Sequence, residues 1–156
     1  MLQYWLMKSE PDAFSIDDLK KQGASPWDGV RNYQARNFMK TMKVGDLVFF
    51  YHSSCQPAGI AGIAKVTRSA YPDFTCWDTK SAYYDPKSTK ETPRWYMVDI
   101  DLVEKFSRII PLSTLKQDPE LANMLLVKKG SRLSVMPVQA SEWQHILSST
   151  RFYLTH

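Results

Sequence analysis

The chain has 156 residues, of which 44% are hydrophobic and 13% aromatic, so it can bury one core but is too short for a comfortable two-domain enzyme. This composition, without any low-complexity run, excludes intrinsic disorder as the general state of the chain. Twenty lysine and arginine residues against sixteen acidic ones give a formal net charge of +4, a mild excess that suits an anionic partner but does not demand one.

The apolar runs are too short to cross a membrane. The run Leu47–Tyr51 is far below the roughly 18 residues that a transmembrane helix needs. Lys8, Glu10 and Asp12 interrupt the N-terminal segment before any signal-peptide core. We therefore expect a soluble protein without a membrane partner that is not secreted, placed in the cytoplasm of a prokaryote or the nucleus of a eukaryote.

The cysteine and histidine content indicates neither disulfides nor a metal site. The chain has two cysteines, Cys55 and Cys76, which lack C-x-x-C spacing, so free thiols are expected. The chain has three histidines, one of them the C-terminal His156, which is too few for a metal cluster. Neither a metal nor a cofactor is predicted.

The N-terminal residues predict a strand followed by a short helix. Gln3 to Lys8 has strand character, and Pro11 ends the strand because proline lacks the amide that a ladder requires. The segment 15–23 predicts a helix, in which Ser15 and Asp18 have the spacing of a capping box.

A tryptophan stands just before the second predicted helix. Pro26 to Lys40 reads PWDGVRNYQARNFMK, which places Trp27 in a turn-like Asp-Gly setting ahead of a helix that Asn32 would cap. Over 32–42 the apolar residues recur at i, i+3, i+4 and i+7, typical of a helical stripe that faces the core. Another face of this helix carries Tyr33, Arg36 and Lys40. Trp27 is therefore either a plug at the edge of the core or a platform for a ligand.

The middle of the chain predicts strands separated by a long loop. Leu47–Ser53 and Gly59–Val66 are β-rich runs joined by a short turn, which favours an antiparallel pair. The polar, proline-containing segment 70–94 predicts a long loop or insertion, and loops of that length are often functional. The segment 95–106 then alternates between apolar and acidic residues, as a half-exposed strand does.

The C-terminal third predicts helices around one more strand. The segments 111–118 and 119–126 each begin with proline and are predicted to be helical. Residues 132–138 predict a final strand, and 141–147 a closing helix capped by Ser141. No repeat and no interdomain linker interrupts the chain, so we expect one domain over 1–156.

This order of elements predicts an α/β fold. Several neighbouring strands are joined by short turns, and the crossover connections are too few for a doubly wound sheet. We expect a mixed, mainly antiparallel, barrel-like sheet flanked by short helices.

Six ordered blocks of sequence resemble the EVE domain family, and together they cover about residues 2–148. They are WLMKSEP, WDGVRNYQARNFM, GDLVFFYHS, GIAGIAKV, YPDFT and SRLSVMPV. The resemblance implies a PUA-like β-barrel, related to the YTH domain that reads methylated adenine. It also implies a role in recognising a modified base in DNA or RNA.

The resemblance further implies an aromatic pocket. Lys8 and Ser9, after the first strand, are similar to the start of the YTH pocket, and Trp27 resembles the first wall of its aromatic cage. Trp77 is the candidate for a second wall, with Phe74 as the alternative. The later tryptophans of the YTH signature are not reproduced in this sequence.

The residues themselves suggest how such a site would work. Stacking a base on Trp27 would contribute roughly 1–3 kcal/mol without selecting among bases. Ser9, Asn32 and Ser53 could read the base edge, and Arg31, with the amides of Tyr33 and Gln34, could hold a phosphate. The positive side chains that could contact the phosphate backbone of a bound nucleic acid are Arg36, Lys128, Lys129 and Arg132. The candidate ligand-binding residues are Lys8, Ser9, Trp27, Arg31, Asn32, Tyr33, Arg36, His52, Ser53, Phe74, Trp77, Arg132 and Ser134.

Each candidate also has a purely structural interpretation. Trp27 could plug the core, Ser9 could satisfy backbone groups near Pro11, and Asn32 could be a helix cap and nothing more. His52 could be a hydrogen-bonded structural histidine. Arg36 and Lys40 could form an ordinary solvated helix face.

Two other functions compete with a base-binding module. A nucleotide-processing or RNA-modifying enzyme would need a catalytic group, yet His52 and Ser53 are neighbours on a strand and point to opposite faces. Asp99 and Asp101 share a strand face, but their alternation with apolar residues is typical of a solvated surface. The second competitor is a protein-interaction adaptor. We therefore predict a non-catalytic module that binds DNA or RNA carrying a modified base.

Overall fold

The computed structural model describes residues 2–128 and 132–150, which form one six-stranded sheet with helices on both faces. The strands are β1 (Tyr4–Ser9), β2 (Ser25–Pro26), β3 (Leu47–His52), β4 (Gly59–Pro72), β5 (Tyr96–Pro111) and β6 (Val135–Val138). The α-helices are α1 (Ile16–Gln22), α2 (Tyr33–Thr41), α3 (Leu112–Gln117) and α4 (Ala140–Ser149). Single 3₁₀ turns occupy Phe74–Trp77, Pro119–Leu121 and Leu125–Val127.

The sheet is mixed and mainly antiparallel, as expected. Its strand order is β2-β5-β4-β3-β1-β6, and within the described residues β1 and β3 are the one parallel pair. The α/β class is thus confirmed. The edge strands β2 and β6 do not pair with each other in this part of the chain, so the sheet is open and a closed barrel is not confirmed.

The parallel pair forces the chain through a long crossover. Parallel neighbours cannot be joined by a hairpin, and residues 10–46 make the connection from β1 to β3 with α1, β2 and α2 along the way. This crossover carries Trp27 across one face of the sheet.

The predicted caps of the first two helices are confirmed. In α1 the Ser15 hydroxyl accepts from the Asp18 amide at 3.1 Å, and the Asp18 carboxylate accepts from the Ser15 amide at 2.8 Å. The Asn32 side chain caps α2 by accepting from the Ala35 amide at 2.9 Å. These bonds satisfy amides that have no partner within the helix.

Two segments near the C-terminal end differ from the sequence-based expectation. The segment 119–126 forms two 3₁₀ turns in place of a helix, because each turn buries one leucine, Leu121 or Leu126, and such short segments gain little from helix propensity. The last helix begins at Ala140, after Gln139, whose amide donates to the Glu142 carboxylate at 2.9 Å. Ser141 therefore lies inside the first turn.

Two further boundaries concern the strands beside the long loop. β4 continues to Pro72, and β5 runs on to Pro111, well past the expected end at residue 106. The two strands pair over most of this length with several bulges, so the long connection is 73–95. We call it the 73–95 loop.

The sheet separates two hydrophobic clusters. On β3, Phe49 and Phe50 are both fully buried and point to opposite faces, as neighbours on a strand must. Phe50 packs with Trp27 and the crossover, whereas Phe49 stacks on Trp143 of α4 at a centroid distance of 3.8 Å. The crossover and its tryptophan are thus part of one of the two cores.

A buried carboxylate ties the start of β1 to the turn before β3. Asp46 accepts from the Trp5 indole at 3.0 Å, from the Lys43 amide at 2.9 Å and from the Gln3 amide at 3.2 Å. Three donors compensate for the removal of this charge from water. Sequence patterns gave no sign of this role.

Membrane-spanning helices are not found in the part of the chain that the structure describes, since none of its helices combines the necessary length with enough apolar residues.

Candidate functional site

A partly open cavity of about 600 Å³ lies beside the C-terminal end of β1, on the face covered by the crossover. Its volume is in the range of small-molecule sites in proteins. Its walls come from the end of β1, from the crossover between β1 and β3, from the 73–95 loop and from the residue before β6. The lining residues are Lys8, Ser9, Glu10, Ala13, Phe14, Gln22, Ser25, Pro26, Trp27, Asp28, Gly29, Val30, Arg31, Tyr83 and Ser134.

Trp27 is fixed to the sheet and mostly buried. β2 pairs with β5 through Ser25 and Pro26, and the Trp27 amide donates to the Val98 carbonyl at 2.7 Å. The indole lies at right angles to Phe50, with centroids 5.4 Å apart, and is only 8% exposed. Trp27 therefore belongs to the core and also contributes to one wall of the cavity.

Tyr83 supplies a second aromatic side chain to the lining. Gly29 has a φ of +81°, and a Cβ atom there would lie 2.5 Å from Cζ of Tyr83, so the tyrosine ring rests on the glycine backbone. The ring remains 42% exposed. Phe74 and Trp77, the expected second walls, lie on the 3₁₀ turn of the 73–95 loop and do not line the cavity.

Asp73 links the segment that carries Trp27 to the 73–95 loop. This fully buried carboxylate accepts from the Gly29 amide at 2.8 Å and from Arg31 Nη1 at 3.0 Å. It also accepts from the Thr75 amide at 2.9 Å and from the Thr75 hydroxyl. The Trp27 segment is thereby fastened to the start of the loop that carries Tyr83.

Arg31 is occupied within the protein, which corrects the expected phosphate contact. Its Nε and Nη2 donate to the Tyr83 carbonyl at 3.1 and 2.7 Å, Nη2 also donates to Thr75, and Nη1 donates to Val30 and Asp73. A guanidinium has five N–H groups, and these bonds use all of them. Arg31 therefore positions the Tyr83 loop against the crossover.

Three charged side chains that line the cavity, Lys8, Glu10 and Asp28, form no salt bridge among the described residues. Burial lowers the pKa of the Lys8 ammonium, whose Nζ lies 5.6 Å from the centre of the Tyr51 ring. Burial, and then the charge of Asp73, raise the pKa of the Asp28 carboxyl. Lys8 is a donor and Asp28 an acceptor on the same cavity, so a polar ligand would meet both.

The cavity also offers hydroxyl groups. The Ser9 hydroxyl donates to the Phe14 carbonyl at 2.6 Å, which leaves its oxygen able to accept. Ser134 also lines the cavity, and its carbonyl accepts from the Lys8 amide at 2.8 Å. The predicted residues Lys8, Ser9, Trp27, Arg31 and Ser134 are thus brought together here.

The other predicted site residues lie outside the cavity. Asn32 serves as the α2 cap, and the Ser53 amide donates to the Ser9 carbonyl at 2.9 Å, so neither is placed to read a base edge there. Lys128 and Arg132 are exposed, and Lys129 lies outside the described residues. Tyr33 and Arg36 lie on the outer face of α2.

His52 has a structural hydrogen bond. Its Nε2 accepts from the Ile16 amide at 3.1 Å, at the first turn of α1. Burial lowers the pKa of His52 below its usual 6.5, with a smaller opposing influence from Asp17. The ring also meets Phe50 edge to face at 5.6 Å.

The partial burial of His52 predicts a pH dependence of stability. Because the folded-state pKa is lowered, His52 stabilises the fold fully above its unfolded-state pKa of 6.5, and this contribution decreases as pH falls toward the folded-state pKa. Urea unfolding from pH 7.5 to 5 should therefore show a shallower decline for His52→Gln than for the unaltered protein. If the free energy of unfolding declined equally with pH in both proteins, the lowered pKa of His52 in the folded state would be contradicted.

Catalytic constellations are not found in the cavity. The described ranges hold no group of three or more His, Cys, Asp or Glu side chains that suits a metal ion. A His145–Asp118 pair with a 2.6 Å contact joins α4 to the turn at Pro119, and neither residue lines the cavity.

Comparison with known proteins defines the class. The EVE domain model matches residues 3–149, so the chain belongs to the EVE domain family, and the resemblance noted from its motifs is confirmed.

The relatives include proteins of known structure. Human thymocyte nuclear protein 1 is 44% identical over 164 residues, which span 93% of this chain and 72% of that protein. A crystal structure of a Pseudomonas syringae protein shares 56% identity and a TM-score of 0.91, covering 94% of this chain and 98% of that one. Human THYN1 has been crystallised in complex with 5-methylcytosine-containing DNA; it shares 43% identity and a TM-score of 0.89, covering 94% and 96% of the two chains.

Proposed function

We propose that this chain is a non-catalytic module that binds nucleic acid and takes one modified base into the cavity between Trp27 and Tyr83. The observation that carries the proposal is the human relative in complex with 5-methylcytosine-containing DNA, which shares the fold over 94% of this chain. The cavity supplies the physical basis, since it combines aromatic walls with unpaired polar groups.

A base can reach the cavity only when it leaves its stack. Proteins that act on single bases extrude the nucleotide and hold it by stacking and by hydrogen bonds to its edge. Tyr83 is the better stacking surface, because it is 42% exposed whereas Trp27 is 8% exposed. Stacking on an aromatic side chain contributes roughly 1–3 kcal/mol per base. Affinity would therefore depend on Tyr83, and Trp27 would shape the wall beside it.

Discrimination depends on the base edge and on the added group. Lys8 can donate to a ring or carbonyl acceptor of the base, and Asp28 can accept from an amino group. An added methyl group contributes only about 0.8 kcal/mol when buried, close to fourfold in affinity. The module should therefore prefer a modified base by a modest factor unless polar contacts add to it.

The proposal is tested by measuring how tightly the unaltered protein and Tyr83→Ala bind oligonucleotides that differ in a single base. The set carries 5-methylcytosine, 5-hydroxymethylcytosine, methylated adenine or no modification, in DNA and in RNA. We expect preference for one modified strand, and at least about a fivefold loss of its affinity in Tyr83→Ala because stacking is removed. Fluorescence anisotropy measures both.

Tyr84→Ala is the matched control. Tyr84 is the next residue, is 43% exposed and does not line the cavity, so its removal should leave the affinity unchanged. Equal affinity for every strand, or equal losses in the two tyrosine variants, would contradict base binding in this cavity. Chemical change of the bound strand during incubation, detected by mass spectrometry, would contradict the non-catalytic assignment.

A further inference from the structure

A row of aromatic and cationic side chains runs from the cavity onto α2. Cζ of Arg31 lies 5.4 Å from the centre of the Tyr83 ring and 5.3 Å from that of Trp95. Trp95 stacks on Tyr33 with a centroid distance of 4.9 Å and an interplanar angle of 21°. Cζ of Arg36 then lies 4.9 Å from the centre of the Tyr33 ring. We call these five residues the α2 row.

The row begins at the cavity and ends on an open helix face. Arg31 and Tyr83 both line the cavity, so the row is continuous with it. Tyr33 is 52% exposed, the most exposed aromatic ring in the described part of the chain. Beyond it, Nζ of Lys40 lies 4.7 Å from the centre of the Tyr96 ring and extends the same pattern. An exposed ring beside a cation is more than an ordinary solvated helix surface requires.

The positive charge at the far end of the row is not neutralised. Arg31 pairs with Asp73 at 3.0 Å, and Arg94 lies 3.9 Å from Asp85. By contrast, within residues 2–128 and 132–150 no carboxylate forms a salt bridge with Arg36 or Lys40.

Arg36 also keeps donors available. It donates from Nε and Nη2 to the Asn37 side chain and from Nη1 to the Arg94 carbonyl. Of the five N–H groups of a guanidinium, these bonds use three. One N–H on each terminal nitrogen is left for an anion.

We propose that the α2 row, together with Lys40, binds the single-stranded segment that flanks the base held in the cavity. Tyr33 stacks on a neighbouring base, while Arg36 and Lys40 bind phosphates. This inference rests on the proposed function, because the base held in the cavity fixes the position of the flanking segment. Cationic surfaces with interspersed aromatic rings are the usual means of binding single strands without sequence preference.

A nucleic acid strand fits this surface by charge and by shape. Its phosphates recur along the strand and match Arg36 and Lys40, which form no salt bridge among the described residues, and its bases offer flat faces to an exposed ring. The continuity through Tyr83 and Arg31 allows one strand to occupy the cavity and the row together. An acidic peptide would satisfy the charges without using the cavity.

The salt dependence of binding tests the phosphate contacts. The double variant Arg36→Gln/Lys40→Gln should weaken the binding of modified and unmodified single strands by the same factor. Each lost phosphate contact lowers the slope of log affinity against log salt by about 0.7, so the slope should fall by about 1.4. Lys65→Gln/Lys116→Gln removes the same charge from exposed positions outside the row and should leave the slope unchanged.

A fluorescent base tests the stacking contact. A strand with 2-aminopurine next to the modified base should be quenched on binding, and Tyr33→Leu should remove part of the quenching and lower affinity about fivefold or more. Urea unfolding establishes that each variant is folded. The isolated modified nucleoside should bind all variants equally, because it reaches only the cavity.

Two outcomes would overturn the inference. One is an equal slope for the Arg36→Gln/Lys40→Gln protein and its control, and the other is unchanged quenching in Tyr33→Leu. Failure of the proposed function has a different signature: the unaltered protein would show no preference for a modified strand, while the slopes of the two double variants would still report on the row.

Discussion

Asp73→Ala should lower the free energy of unfolding by about 3–5 kcal/mol, because removing one partner of a buried ion pair leaves the other charge uncompensated. The change takes away the acceptor for Arg31 Nη1 and for the Gly29 and Thr75 amides. We also expect loss of base binding, since Asp73 fastens the Trp27 segment to the loop that carries Tyr83. Urea unfolding and anisotropy, performed on the same samples, measure the two effects.

Two further variants separate charge from shape at this position. Asp73→Asn keeps the size of the side chain and one acceptor oxygen, so its loss of stability should be smaller than that of Asp73→Ala. In combination with Arg31→Gln, which removes the opposing charge, the losses should be less than additive. A decrease below about 1 kcal/mol for Asp73→Ala would show that the loop is held by other contacts.

Trp27→Ala should lower the free energy of unfolding by about 3–5 kcal/mol, which is the usual cost of truncating a buried aromatic residue. The indole packs against Phe50 and Phe14 at centroid distances of 5.4 and 6.5 Å and is part of the core on the crossover side. Urea unfolding measures this change directly. Weakened binding in the same variant would then have two causes, the lost wall and the loosened core.

Trp27→Phe distinguishes those causes. It retains an aromatic ring against Phe50, so this variant should remain more stable than Trp27→Ala. The smaller ring would cover less of the cavity wall. Base affinity measured where both variants are fully folded should fall less in Trp27→Phe. A loss of stability under about 1 kcal/mol in Trp27→Ala would contradict the buried role of the indole.

Local patterns in the sequence predicted most of the elements correctly. The Ser15 and Asn32 caps and the β-rich run that forms β3 depend on residues a few positions apart, and the structure confirms them. The exceptions are segments whose conformation or length depends on tertiary packing. The 119–126 segment buries isolated leucines and turns twice, and β5 continues past residue 106 because β4 pairs with it over a longer stretch.

The candidate site was predictable only in part, because its second half depends on distant contacts. The family motifs pointed to Lys8, Ser9 and Trp27, all of which line the cavity. Tyr83 reaches the cavity because Gly29 leaves space for its ring and Arg31 binds its carbonyl. These contacts join residues more than fifty positions apart, and neither periodicity nor spacing reports them.

Because the crossover between the parallel strands β1 and β3 supplies much of the lining, the cavity cannot be reproduced in a short peptide or moved to another scaffold piece by piece. Its lining is drawn from the end of the first strand, from the crossover, from Tyr83 and from Ser134 near the last strand. A peptide copied from any one of these segments would carry a single wall and leave the opposite side missing. An engineer who wishes to move this property to another scaffold must therefore transplant the sheet together with the crossover and the 73–95 loop, since the cavity exists only where these parts meet.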